Sequence, residues 1–302
     1  MTVKPISAVS RGYLFAAIAV ALWSGFILVS RLGGISRMTA FDITAVRFAT
    51  AAVLLLPVWL ARAGAPIFNR RTAALALTGG VGYALLAYSG FKLSSAVHAA
   101  VLLPGLMPFG IAIVARLVLG ERPSSSRLFG LVVIGAGVAF LALDAFRTGT
   151  GSWAGDLLIV ASSLFWAVYT VLLRRWSINP WDAAIGVTVL SALVYLPIYV
   201  SFLPKAILVT PWSDIALQAF YQGALAPIVA AVVYIRATAL LGPTRIGTLM
   251  ALVPAISGIA AALLLGEPLS PWLIAGLGAA STGAWVGTLG GLPVVGRKPC
   301  PA

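Results

Sequence analysis

Charge is what this sequence has least of. Only 9% of its 302 residues are charged, and 61% are apolar, with a mean hydropathy of +1.05. A soluble globular domain carries roughly 25% charged residues. This shortage excludes a soluble enzyme, a nucleic-acid binder and a disordered scaffold, and points to an integral membrane protein. Acids are scarcer still, with seven Asp and Glu in the whole chain. There is one histidine, His98, and one cysteine, Cys300, in the C-terminal tail. An internal disulfide and a Cys/His metal cluster are therefore excluded, and no metal or cofactor is expected. The net charge of +13 would suggest nucleic acid in a soluble protein. Here the cations lie between apolar runs.

Ten such runs are present, at about 12–31, 41–61, 72–91, 95–119, 127–145, 153–173, 182–203, 214–235, 240–265 and 271–292. Each is long enough for a membrane helix of about 20 residues. None shows the alternation over about ten residues that a β-barrel strand requires. What remains for loops and tails is too short for an extramembrane domain. The first run has no clear A-x-A cleavage site and is read as a retained helix, not a signal peptide. With a cytoplasmic N-terminus, thirteen Lys and Arg fall inside, while Arg31, Arg37, Lys92, Arg147 and Lys205 fall outside. Arg47 and Arg245 are set aside as lying within helices. The bias places both termini in the cytoplasm.

The two halves resemble each other. Leu119-Gly120-Glu121 matches Leu265-Gly266-Glu267 at an offset of 146, which also pairs Pro108 with Pro254, Tyr88 with Tyr234, Gly130 with Gly276 and Gly137 with Gly283. An offset of 143 pairs Trp23 with Trp166 and Arg31 with Arg174. The boundaries expected are a tail over 1–11, one five-helix repeat over 12–150, a second over 151–292, and a tail over 293–302. Five is odd, so the second repeat enters the membrane inverted, a recurrent plan of secondary transporters.

Ten helices in two such halves, each with a Trp-bearing first helix and a Leu-Gly-Glu between its fourth and fifth helices, resemble the drug/metabolite transporter superfamily, EamA type. The similarity covers roughly 12–290 and lies nearest the YddG-type amino-acid exporters. It implies a basket-like all-α fold, cytoplasmic termini, and export of small metabolites. Aromatic and other neutral amino acids, and in some members cationic drugs, are the cargo it implies.

Trp23 and Trp166 lie about 17 Å or more past the starts of their spans, near the middle of a ~30 Å core. Tryptophan prefers the interface, so two matched deep ones are candidates for the aromatic walls of a cavity, by stacking or cation–π contact. The alternative is plain helix packing. Tyr83, Tyr88, Tyr169 and Tyr234 carry hydroxyls that are costly in lipid and are expected to face the interior. His98, near the start of the fourth span, either contacts substrate or caps the helix. Pro104, Pro108 and Pro254 remove backbone donors within spans and are either hinges or static kinks.

All seven acids fall at or near span ends. Proton-coupled carriers keep an ionisable group inside the membrane, so facilitated diffusion or exchange is expected. The sequence thus predicts an inner-membrane secondary transporter whose only partners are its small-molecule substrate and lipid, with no nucleic acid and no obligate protein partner. The alternatives are an organic-cation exporter of the same fold and a membrane-embedded enzyme, the latter disfavoured by the scarcity of intramembrane Asp, Glu and His.

Overall fold

The computed structural model describes residues 8–61, 67–148 and 152–289. Cys300 and most of both tails lie outside them. Among the described residues every regular element is a helix, and ten helices are long and apolar enough to cross a membrane. They are α1 (Ala8–Ile35), α2 (Ala40–Ala61), α3 (Arg70–Leu93), α4 (Ala96–Leu119), α5 (Ser125–Thr148), α6 (Trp153–Arg175), α7 (Pro180–Phe202), α8 (Trp212–Leu241), α9 (Pro243–Met250 and Val253–Leu265) and α10 (Pro271–Leu289). Successive helices run in opposite directions. The start of α1 and the end of α10 therefore share one face, called here the terminal face, and the other is the far face.

Short polar signals set the helix ends. Ser95 Oγ accepts from His98 N (3.1 Å), Ser152 Oγ from Gly155 N (3.2 Å) and Asn69 Oδ1 from Thr72 N (2.9 Å), each satisfying an otherwise unpaired N-terminal donor. The repeated Leu-Gly-Glu also gains a physical meaning. Gly120 (φ 72°) and Gly266 (φ 67°) close α4 and α9 in the left-handed conformation that glycine alone adopts freely. The following Glu is thereby turned back toward the bundle.

Packing repeats with two-fold logic. α1 packs on α8 as α3 packs on α6, α2 on α7, α4 on α9, and α5 on α10. The α5–α10 seam shows the symmetry atom by atom. A Cβ on Gly130 would meet Gly283 O at 2.5 Å, and one on Gly283 would meet Gly130 O at 2.6 Å. Gly137 and Gly276 oppose each other in the same way, at 2.9 and 3.1 Å. The sequence offset pairs Gly130 with Gly276 and Gly137 with Gly283. Each glycine thus meets the equivalent of its neighbour along the other helix. That is the contact an antiparallel two-fold makes, and small residues at such seams let backbones approach. Large apolar side chains such as Leu117, Phe202 and Leu263 stand exposed on the outside, which suits lipid and not water.

Two helices depart from α geometry. α3 contains a π stretch over Ala76–Val81, with Gly80 off helical angles (φ −105°, ψ −112°), and α8 contains one over Ala219–Val229. These are the third helices of the two halves. π turns inside helices are frequent at functional sites.

Candidate binding site

Four of the sequence-predicted residues come together. The Trp166 ring lies 6.2 Å from Trp23, 4.8 Å from Tyr83 and 5.1 Å from Tyr169, measured between centroids. Trp23 further contacts Phe26 at 6.5 Å. α1, α3 and α6 supply this cluster, and all four rings sit near mid-span. The close approach is licensed by glycine, since a Cβ on Gly79 would lie 2.3 Å from the Tyr169 ring. Trp23 Nε1 is buried and has no hydrogen-bond partner. An unpaired buried donor costs about 1–3 kcal/mol.

Tyr88 is fully buried one step along α3, in a different setting. Arg47 Nη1 donates to Tyr88 Oη (3.1 Å), Tyr88 Oη donates to Gln222 Oε1 (3.1 Å), and Gln222 Nε2 donates to Ser30 Oγ (3.0 Å). Four helices, α1, α2, α3 and α8, meet in this chain. Tyr83 lies within electrostatic range of the same guanidinium, which joins the aromatic cluster to the polar chain.

The remaining candidates lie elsewhere. His98 is buried at the far face, where its Nδ1 sits 3.1 Å from Asp156 Oδ2 and Ser94 Oγ donates to Asp156 Oδ1. It clasps α4 to α6 and takes no part in the aromatic cluster. Tyr234 is the correction. The expectation was an interior ring, yet the side chain is 38% exposed on α8. The reason is the repeat register. At the offset of 143 that pairs the two tryptophans, Gly80 falls on Gly223, both in π stretches, and Tyr88 falls on Ala231. Tyr234 is three residues beyond the position that this offset gives for Tyr88. The prolines also differ from one another. α4 runs unbroken through Pro104 and Pro108, whereas α9 breaks at Ala251-Leu252. Pro254 starts the new segment, in the first turn where proline is tolerated.

Arg47, Gln222 and Ser30 were not among the sequence candidates. One signal was present, because an arginine inside an apolar span is costly and usually functional.

A crevice of about 600 Å³ opens at the terminal face between α2, α3 and α7. Its walls include Trp59, Asn69, Arg70, Arg71 and Asp182, and it reaches Leu75, the residue before the α3 π stretch. Up α3 from there follow Gly79 against Tyr169, Gly80 against Ser191, Tyr83 against Trp166 and Tyr88 against Arg47. One helix thus borders the crevice at its start and carries the residues of the aromatic cluster and of the Arg47 chain further along.

At both faces the halves are tied by ion pairs. At the far face Arg31 Nε donates to Glu267 Oε1 (3.1 Å), and Glu267 also accepts from Ala96 N (3.0 Å) and Val97 N (2.9 Å) at the start of α4. At the terminal face Arg174 pairs with Glu121, whose Oε2 is buried without a partner. The two pairs are equivalent by the repeat, but the far-face one is complete and the terminal-face one is half made.

Replacing Trp166 by alanine removes three ring contacts at once. We expect a loss of about 3 kcal/mol, read as a lower denaturation midpoint of the purified protein, with Trp166→Phe keeping most of it. Equal midpoints for Trp166→Ala and the parent would show that the cluster carries no packing energy.

The model of the EamA-like transporter family matches the chain twice, over residues 10–143 and 153–289. Among curated proteins, the Uncharacterized transporter YyaM of Bacillus subtilis (strain 168) is 28% identical over 165 residues. That match covers 50% of this chain and 52% of the relative, so it spans about half the length of each. A solved crystal structure of a protein superposes with a TM-score of 0.61 at 22% identity, over 92% of this chain and 97% of that one; this likeness concerns the fold.

Proposed function

This chain belongs to the EamA-like transporter family, and on that premise we propose that it is a secondary transporter exporting amino acids, aromatic and other neutral ones, or similar small metabolites by alternating access. In this proposal it sits in the bacterial inner membrane with the terminal face in the cytoplasm, as the loop cations favour. The observation that carries the mechanism is the pair of repeat-related interlocks. Arg31–Glu267 joins α1 of one half to the end of α9 in the other at the far face, and Arg174–Glu121 joins α6 to the end of α4 at the terminal face. Two similar halves that can trade a far-face lock for a terminal-face lock have the elements of alternating access.

In the described conformation the far-face lock holds all its donors and the crevice lies at the terminal face. This suits an inward-facing or occluded resting state. Pro254 and the break at Ala251-Leu252 are the hinge proposed for α9. Pro104 and Pro108 remain candidates for a smaller flexing of α4. No carboxylate is near mid-span among the described residues, which favours uncoupled diffusion or exchange.

The test is counterflow into proteoliposomes preloaded with neutral amino acids, with and without a pH gradient. Saturable exchange of labelled amino acid, indifferent to the gradient, is the expected outcome. Exchange that follows the gradient would overturn the uncoupled mechanism and keep the carrier. Exchange of flat organic cations but no amino acid would overturn the substrate class.

A further inference from the structure

Arg47 is buried, retaining 9% of its surface, about 10 Å along α2 from its far-face end. A guanidinium carries its charge at any physiological pH and offers five donors. Here the protein partner shown for it is Tyr88, a neutral hydroxyl. Among the described residues none of the ion pairs includes Arg47. The acids are engaged or placed elsewhere. Glu267 holds Arg31, Glu121 holds Arg174, Asp156 holds His98, and Asp42 accepts from Thr39 N and Tyr199 Oη. A buried charge without a counter-charge costs several kcal/mol, and no structural need is visible that a neutral glutamine would not meet.

We propose that Arg47 is the counter-charge for a carboxylate on the transported molecule, so that the site selects organic carboxylates with a flat apolar body over amides and amines of the same shape. This rests on the assignment of the chain as a carrier and deepens it. The carboxylate lies against the Arg47 fork, where two parallel N–H···O bonds are possible. The body lies toward Tyr83, Trp166 and Trp23, and the orphan Trp23 Nε1–H supplies a further donor. Trp23 Nε1 is an unpaired donor and the neighbouring Ser24 Oγ is also unpaired, and none of the acids in the ion pairs among the described residues faces Arg47. Along α3 from the terminal face, the ring-bearing Tyr83 comes before Tyr88, the partner of the charge.

The experiment compares 3-phenylpropionate, 3-phenylpropanamide and 2-phenylethylamine on the purified full chain, by ligand-induced thermal stabilisation and by counterflow. Arg47→Gln keeps an N–H donor for Tyr88 and removes the charge. The parent should bind the carboxylate at least tenfold more tightly than the amide or the amine. Arg47→Gln should erase that preference, with the larger loss falling on the carboxylate. Should Arg47→Gln fail to fold, Arg47→Lys, a cation without the fork, should weaken the carboxylate alone. Equal binding of carboxylate and amide by the parent, or a preference that survives Arg47→Gln, overturns the assignment. Carboxylate binding without exchange of any compound would instead overturn the carrier function and leave Arg47 as the anion site.

Discussion

Glu267→Ala should destabilise the purified protein far more than Glu121→Ala, although the two residues are equivalent by the internal repeat. Removing Glu267 takes the counter-charge from Arg31, which keeps only Phe91 O as a described partner, and strands two α4 amides, Ala96 N and Val97 N, at a part-buried site. Breaking a buried pair from one side typically costs about 3–5 kcal/mol; partial exposure of Arg31 brings this toward about 3. Glu121 has one described partner, Arg174, whose side chain is 35% exposed, and one oxygen already lacks a donor. An exposed pair is worth about 0–1 kcal/mol. Denaturation midpoints of the two variants, measured in the same detergent, decide the matter. Similar shifts would mean that the asymmetry between the faces has no energetic content. Glu267→Gln should fall in between, because it keeps the shape and one acceptor while losing the charge.

Gly283→Ala should lower stability by about 2 kcal/mol or more, while Gly278→Ala on the same helix should leave it unchanged or raise it. The added methyl on Gly283 would lie 2.6 Å from Gly130 O and 2.8 Å from Ile134 N. These are backbone atoms that no side-chain rotation can clear, and overpacking of this kind typically costs about 1–3 kcal/mol. At Gly278 nothing lies within 4 Å, and alanine is the better helix former by about 1 kcal/mol. The opposite signs make the comparison informative. Equal behaviour of the two variants in unfolding assays would rule out the seam as the place where α5 and α10 meet.

The architecture was legible because it rests on long-period signals. Ten apolar runs of span length became ten helices. The Leu-Gly-Glu repeat proved to be a left-handed glycine cap followed by an interlocking acid. Trp23 and Trp166 met because both sit deep in equivalent helices. What the sequence hid depended on local geometry. Tyr88 and Tyr234 share one sequence offset, yet Tyr88 is fully buried and Tyr234 is 38% exposed. Pro108 and Pro254 look alike in sequence, yet only α9 breaks, because Pro254 falls in the first turn of a new segment. His98 was visible as the lone histidine, but its partner Asp156 lies on another helix. Arg47 is visible in the sequence as a cation inside a span, which carries no information on orientation. Its lack of an acid partner became apparent only when the four surrounding helices were in place.

The glycine seam bears on how such a chain changes over generations. In an assembly of two identical five-helix chains facing opposite ways, two codons would set all four glycines of the seam, and a single change would strike it twice. Here Gly130, Gly137, Gly276 and Gly283 are four separate codons, and each mutates alone. Opposite each of them is a backbone, so a harmful substitution has no bulky neighbour that a second mutation could trim. The seam is therefore held to glycine at each site independently, while positions away from it are released from their twins. That release allows Glu267 to gather three donors while Glu121 keeps one, and a nearly symmetric bundle to prefer one of its two faces.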